Sequence, residues 1–599
     1  MRNRFSFIRN RGAFHRCAVL CALLLFLLSG CAEENPMKAE VLASAGENRA
    51  IAGEYDRDLS VKCRNGVFVG LDTDGVLSFK GIPYAKPPVG DLRWQPPVDA
   101  AEGEGVFEAY YFGKSPVQTE WPSEPGSYYP QSEDCLTLNV WVNRNNPAAD
   151  KPVMVFIHGG SYGWGAASDP IYDGHNLVKK FDDLILVTVE YRLGLYGFID
   201  FSGVPGGERY PESGNLGLLD QICALRWVRD NIAGFGGDPG NVTIFGESAG
   251  GGSVMLLPLI DGTEGLFRRI IAESGSLNLT SSRDECRNLT ELLLKETGCS
   301  DMAALAALSE ADLKKANEAL NDYNNFPERD GLVLPEDLYG AFAEKAAGID
   351  FITGNNADEV RYWVNEMGYT VPLLPPMTVY RHAIEILFEN NLARLTPEDR
   401  DLVERFLAMQ SDERIWNLSE FYNELLFRVP ALKQAQLHAE NGGKAYNYRF
   451  TVSGADETLG ACHAMELAYV FDNLGATIYT GGRVNEELAN TIQQLWVSFA
   501  RTGIPRADGI SWDLYEPDTR LTLILGDEVR MESDVNGEQR ELIEPLLRYY
   551  FNGLYSQLSL NVPHVYLLAG CAAAVLAVLI IAAAVIVKRI RRRKAAPRS

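Results

Sequence analysis

Gly246-Glu247-Ser248-Ala249-Gly250 places one hydroxyl between two glycines. An apolar, β-branched run at 242–245 precedes it, and the apolar-rich Ser253-Val254-Met255-Leu256-Leu257 follows. A G-x-S-x-G at such a strand-to-helix junction makes a sharp turn that lifts the serine above the strand ends. Glycines two positions either side are needed because side chains there would collide in so tight a turn. A helix starting behind Ser248 would point free N–H groups at charge developing on a bound carbonyl oxygen.

A serine is a weak nucleophile without a base and an oxyanion hole. His158-Gly159-Gly160-Ser161 ends the apolar run 153–157. Its glycines allow backbone N–H groups to turn inward, and with the N–H of Ala249 they make a hole of two or three donors. His158 itself reads as structural, a residue that hydrogen-bonds its own loop. Between residues 32 and 560 the histidines are His158, His175, His382, His438 and His463. The order nucleophile, acid, base removes the first two. His463 follows a predicted strand at 446–452 and is placed as a base should be, whereas His382 and His438 lie in charged helical stretches and read as solvated. The acid should follow a predicted strand at 351–353, where Asp358 and Glu359 both fit and periodicity does not choose between them.

These residues need a scaffold. The runs 153–157, 184–189 and 242–245 are short, β-branched and nearly free of charge, the signature of strands buried on both faces. Residues 218–228 carry apolar positions at helical spacing between the second and third runs. Strand, helix, strand implies a parallel sheet with right-handed crossovers. Further strands are predicted at 269–272 and at Leu521–Leu525, and a helix at 491–500 with Gly503 as its stop. The class is therefore α/β with one large, mostly parallel sheet and helices on both faces. The mainly helical stretches 280–350 and 365–440 are expected to form a cap near the C-terminal strand ends, where such sheets bind ligands.

The net charge of −25 argues against a nucleic-acid partner, because phosphate backbones select basic surfaces. The charge is also uneven: without the basic residues of 1–30 and 588–599 the chain sits near −37. Residues 1–30 read as an export signal. Leu28-Ser29-Gly30-Cys31 resembles a bacterial lipoprotein box with Cys31 as the lipidated residue. After a linker at 31–59, a catalytic domain at 60–550 and a juxtamembrane stretch at 551–564, the apolar run 565–587 is long enough to cross a hydrocarbon core of about 30 Å. A basic tail at 588–599 follows, and positive charge stays on the cytoplasmic side, so the domain should face outward. Export permits disulfides. Cys286 and Cys299 bracket a short helical stretch and are a candidate pair, with Cys63 and Cys135 a second. Metal-ligand spacings of Cys and His are absent, so no metal or cofactor is expected.

The motifs converge on a family. Phe79-Lys80-Gly81-Ile82-Pro83-Tyr84-Ala85, Arg93-Trp94, Ser132-Glu133-Asp134-Cys135-Leu136, Asn215-Leu216-Gly217-Leu218-Leu219-Asp220-Gln221 and Phe235-Gly236-Gly237-Asp238-Pro239 occur in order with the Ser248 elbow. This sequence resembles the type-B carboxylesterase/cholinesterase family of the α/β-hydrolase fold over about 60–550. The resemblance implies a serine ester hydrolase acting on small-molecule esters, with Ser248 as nucleophile, Glu359 as acid and His463 as base. It implies Gly160, Ser161 and Ala249, beside Gly159, as the oxyanion site, Glu247 and Ser274 as structural residues near it, and an Arg93–Glu133 ion pair. The family also includes catalytically silent, membrane-anchored adhesion proteins, and the same triad serves amide and peptide hydrolysis; the intact Ser248, Glu359 and His463 speak against silence. The chain departs from the family at Ser161, where a third glycine is common, at Val360 after the acid, and at Glu190, which replaces a common Asn. A cysteine expected near Ser115–Gln118 is missing, and Trp121 does not match the choline-binding tryptophan.

Overall fold

The computed structural model describes residues 36–120, 125–320, 326–365, 385, 388–389, 391–393 and 395–549. The expected export signal, Cys31, the membrane span and basic tail, Trp121 and His382 lie outside them. Among the described residues no helix is long and apolar enough to cross a membrane. A short helix, Pro36–Ala43, belongs to a small first unit; the described residues from Ala45 onward form a single compact unit. Residues 45–59, read from sequence as linker, pack within that second unit: the Asn48 amide donates to the Lys80 and Tyr111 carbonyls.

Fourteen strands are described. β1 (Ser60–Cys63), β2 (Gly66–Val69) and β5 (Val106–Glu108) form a small sheet. The large sheet has eleven: β3 (Leu71–Thr73), β4 (Val76–Pro83), β6 (Thr137–Asn143), β7 (Lys151–Ile157), β8 (Ile185–Val189), β9 (Gly237–Glu247), β10 (Arg269–Glu273), β11 (Asp350–Asn356), β12 (Ala445–Phe450), β13 (Leu521–Leu525) and β14 (Arg530–Ser533). Its order is β14-β13-β12-β11-β10-β9-β7-β8-β6-β4-β3. Pairs from β8 through β7 to β13 are parallel, and the antiparallel ones lie toward the two edges.

The alternation along β7 explains the three layers. Val153, Val155 and Ile157 point to one apolar core, while Met154 and Phe156 point to the other. The helix Leu216–Asn231 covers the first face with Leu218, Ile222 and Leu225. The helix Glu486–Thr502 covers the second with Ile492, Leu495 and Trp496; Asn485 caps its start and Gly503 ends it at φ 75°. The Arg93–Glu133 pair is present and buried, with Nε 2.6 Å from Oε2.

The expected disulfides, Cys286–Cys299 and Cys63–Cys135, are not formed. Cys286 sits in the first turn of the helix Arg283–Thr297, and Cys299 lies two residues past its end. Eleven helical residues at 1.5 Å rise hold them about 16 Å apart along the axis, whereas a disulfide needs Cα atoms within about 7 Å. The helix between them is thus a spacer rather than a loop to be closed. Cys63 and Cys135 are buried in the same core as separate thiols, and burial pushes Cys63 up to about 12.

Candidate active site

Neighbouring strands β7, β9, β10, β11 and β12 run parallel and end at one rim of the sheet. Ile157 is level with Gly246, Glu273 with Glu247 and Gly354, and Asn356 with Phe450. The segments leaving these strand ends carry His158, Ser248, Ser274, Glu359 and His463 in turn. Residues far apart along the chain thereby reach one rim.

Ser248 has φ 56° and ψ −119°, a left-handed backbone that costs a residue with a Cβ on the order of 1–3 kcal/mol. Packing enforces it. A Cβ on Gly250 would stand 1.9 Å from the Ile157 carbonyl oxygen, and one on Gly246 would stand 2.5 Å from the Gly250 carbonyl carbon. A serine at a helix start ordinarily caps a first-turn N–H. Ser248 makes no such bond to the helix Ala249–Leu256, and its own N–H donates to the Glu273 carbonyl at 2.9 Å.

The glycine loop comes up against this turn, close enough that a Cβ on Gly159 would lie 3.1 Å from the Ser248 Cβ. Gly160, Ser161 and Tyr162 all take positive φ, at 96°, 50° and 58°. Ser161, Ser248 and Ala249 line one narrow pocket with Leu279, Phe326, Trp363, Leu426 and Phe427. The His158 ring hydrogen-bonds the Gly159 carbonyl at 2.9 Å, the structural part expected of it.

Glu359 is fully buried and accepts three hydrogen bonds. Ser274 Oγ and the Asn356 N–H reach its Oε1 at 2.6 Å each, and His463 Nδ1 reaches Oε2 at 2.6 Å. Periodicity had left Asp358 open; its carboxylate instead accepts from the Ala461 N–H at 3.0 Å and pairs with Arg361. With the proton on Nδ1, Nε2 of His463 keeps its lone pair. That ring packs on Trp363 and Phe427, two walls of the Ser248 cavity, with centroids 4.7 and 5.1 Å away. Nε2 makes no hydrogen bond among the described residues and lies 3.2 Å from Oε1 of Glu247, the residue before Ser248. Such contacts commonly align only when substrate is bound.

Sequence reasoning missed the acids beneath the imidazole. Burial, with the Glu359 charge second, raises Glu466 to about 8. Burial also raises Glu273 well above the carboxylate range, and Trp496 Nε1 donates to it. Both shifts favour the protonated carboxyl, and the Asn356 amide ties Glu466 to the residue that also holds Glu359. The signals were spacings of three: Asn356 before Glu359, and Glu466 after His463. His438, expected in solvent, is buried between Phe342 and Phe351 because it lies on the sheet-facing side of the helix Val429–Glu440. Burial lowers it to about 4.

The model of the Carboxylesterase family matches residues 57–543. The chain belongs to the carboxylesterase family. It is 36% identical over 505 residues to the para-nitrobenzyl esterase of Bacillus subtilis, covering 81% of this chain and 98% of that one. It is 31% identical to liver carboxylesterase 1 of Oryctolagus cuniculus, covering 83% of this chain and 92% of that one. The solved Geobacillus stearothermophilus carboxylesterase EST55 superposes with a TM-score of 0.71 at 33% identity, over 81% of this chain and 99% of that one. Membership in the carboxylesterase family, with relatives and structural neighbours of this kind, assigns the α/β-hydrolase fold and the activity of a serine carboxylic ester hydrolase.

Proposed function

We propose that this chain is a membrane-anchored, extracytoplasmic carboxylesterase that works through Ser248, His463 and Glu359. The observation that carries the assignment is the buried chain from Ser274 through Glu359 to His463 Nδ1, with the strained Ser248 elbow beside it. His463 Nε2 takes the Ser248 proton as the oxygen attacks the ester carbonyl. Glu359 holds the imidazolium from one side, and Glu247 faces it from the other. The N–H groups of Gly160, Ser161 and Ala249 receive the oxyanion. The alcohol leaves protonated, and water activated by the same imidazole releases the acid from the acyl-enzyme.

The cavity walls Leu279, Phe326, Trp363, Leu426 and Phe427 are apolar, so the substrate is a neutral ester with an apolar group beside its carbonyl. The acidic chain weakly favours neutral or cationic esters over anionic ones. The anchoring part of the reading rests on the sequence alone: the signal at 1–30, Cys31 and the apolar run 565–587 before a basic tail. Hydrolysis of short- and long-chain p-nitrophenyl esters by the full chain in vesicles tests the activity. Ser248→Ala should lose at least about four powers of ten in kcat. Wild-type rates in that variant would refute the assignment. Protease protection of the vesicles, and the mass of the mature N-terminus, test the topology and the lipid.

A further inference from the structure

Glu190 and His158 form a buried pair that the mechanism above does not use. β8 delivers Glu190 beside the glycine loop, and its N–H donates to the Thr137 carbonyl at 3.0 Å. His158 is held at two other points: its ring stacks on Tyr191 with centroids 4.4 Å apart, and its carbonyl accepts from the Tyr191 hydroxyl at 2.8 Å. Because a carbonyl oxygen only accepts, the 2.9 Å contact between Nδ1 and the Gly159 oxygen requires the ring proton on Nδ1. Nε2 is then a lone pair. It faces Glu190 Oε2 at 3.7 Å, and neither atom has a hydrogen-bond partner among the described residues. The Glu190 carboxyl also accepts the N–H groups of Ala167 and Ser168, which fall to its other oxygen. At 3.7 Å the two atoms stand just beyond hydrogen-bond reach, and the pairing that a small closure would complete is a protonated carboxyl, with its carbonyl oxygen toward the two amides and its O–H toward Nε2.

The consequence reaches the reacting centre. The Gly159 carbonyl and the Gly160 N–H belong to one planar peptide and point in opposite directions. A proton on His158 Nδ1 that holds this carbonyl therefore also aims the Gly160 N–H. We infer that Glu190 is a positioning residue for the oxyanion loop, its carboxyl proton fixing the tautomer of His158 and hence the direction of the Gly160 donor. The inference rests on the esterase reading above.

Burial raises Glu190 to about 8 and lowers His158 to about 4, so both are neutral at pH 7. When Glu190 ionises, one proton goes to solvent. The ring proton moves from Nδ1 to Nε2 to meet the carboxylate, and Nδ1 then turns a lone pair on the Gly159 oxygen. The groups around the pair do not titrate in the same window. Tyr129 is raised to about 12, while Cys135 and Tyr84, whose hydroxyl donates to the Glu190 carbonyl, are raised well above their usual values. Asp169, next to the two amides, is raised to about 6, and Arg192 is paired with Asp220.

The test is the pH profile of kcat for wild type, Glu190→Gln, Glu466→Gln and Glu190→Ala on one p-nitrophenyl ester. A glutamine offers the same acceptor and donor without titrating. Wild-type kcat should fall at least about five-fold on an inflection near pH 8, and Glu190→Gln should remove the part of that limb that persists when Glu466→Gln is made alone. Glu190→Ala should lose about ten-fold or more in kcat at neutral pH with KM little changed, as expected for a weakened oxyanion donor, and Glu190→Gln should recover most of it. An unchanged alkaline limb in Glu190→Gln, or full kcat in Glu190→Ala, would overturn the inference. Thermal melts identify a misfolded Glu190→Ala protein, in which case the Glu190→Gln profile decides alone. Absence of esterase activity in wild type would instead strike the reading on which the inference rests.

Discussion

Ser161 stands at φ 50° where a glycine would sit without strain, and the role proposed for it uses its backbone N–H rather than its side chain. Ser161→Gly should therefore keep kcat and change stability favourably by about 1 kcal/mol, read by urea unfolding. Ser274 supplies one of three hydrogen bonds to the buried Glu359. Ser274→Ala should lower kcat by one to two powers of ten through an unsatisfied buried acceptor, a penalty of about 1–3 kcal/mol, with little effect on KM. At this scale the sequence was most legible where a residue's chemistry depends on its immediate neighbours. The elbow glycines, the His158 loop and the late position of His463 could all be read directly. The choice between Asp358 and Glu359 could not, because both follow the same strand. It took the resemblance to name Glu359, and in the structure it is Glu359 that contacts His463.

Strands such as β7 and β8 announce themselves because both faces are buried, which makes the run continuously apolar. The observed β9 extends five residues before the expected run, since Gly237-Asp238-Pro239-Gly240-Asn241 carries no apolar signal yet still joins the sheet at Lys151↔Gly237. The antiparallel strands from Leu71 to Asn143 escaped notice because they mix polar and apolar residues near a sheet edge. The elbow is the element on which the site depends most. Gly250→Ala would drive a methyl into the Ile157 carbonyl, and the protein should fail to accumulate in folded form, as judged by circular dichroism and yield. The wall of the pocket offers a gentler change. Trp363 stacks on Phe427 and walls the cavity, with ring centroids 5.9 Å apart. Trp363→Ala should raise kcat/KM for bulky acyl esters relative to acetates by about ten-fold, since a few contacts are worth 1–3 kcal/mol.

The whole molecule carries several buried acids whose protonation is part of its fold. Glu190 and Glu466 are each raised to about 8 by burial. A raised carboxyl contributes stability that is complete below its ordinary value of 4.5 and is lost as pH climbs through 8. His158, lowered to about 4, contributes above 6.5 and loses that as pH falls. Between pH 6.5 and 8.5 only the first effect acts, so the melting temperature should drop across that window, and the double variant Glu190→Gln/Glu466→Gln should flatten the slope. Differential scanning calorimetry across the window reads this directly. Composition could not have revealed it: the sequence shows 80 acidic residues, but only the packed sheet rim decides which of them are denied water. The central claim is narrower, that Ser248 is made nucleophilic by His463. A fluorophosphonate probe followed by peptide mass mapping tests it directly. One adduct per chain on Ser248, forming at least about a thousand-fold more slowly in His463→Ala, is the expected result. An adduct elsewhere, or an equal labelling rate in that variant, would contradict the account.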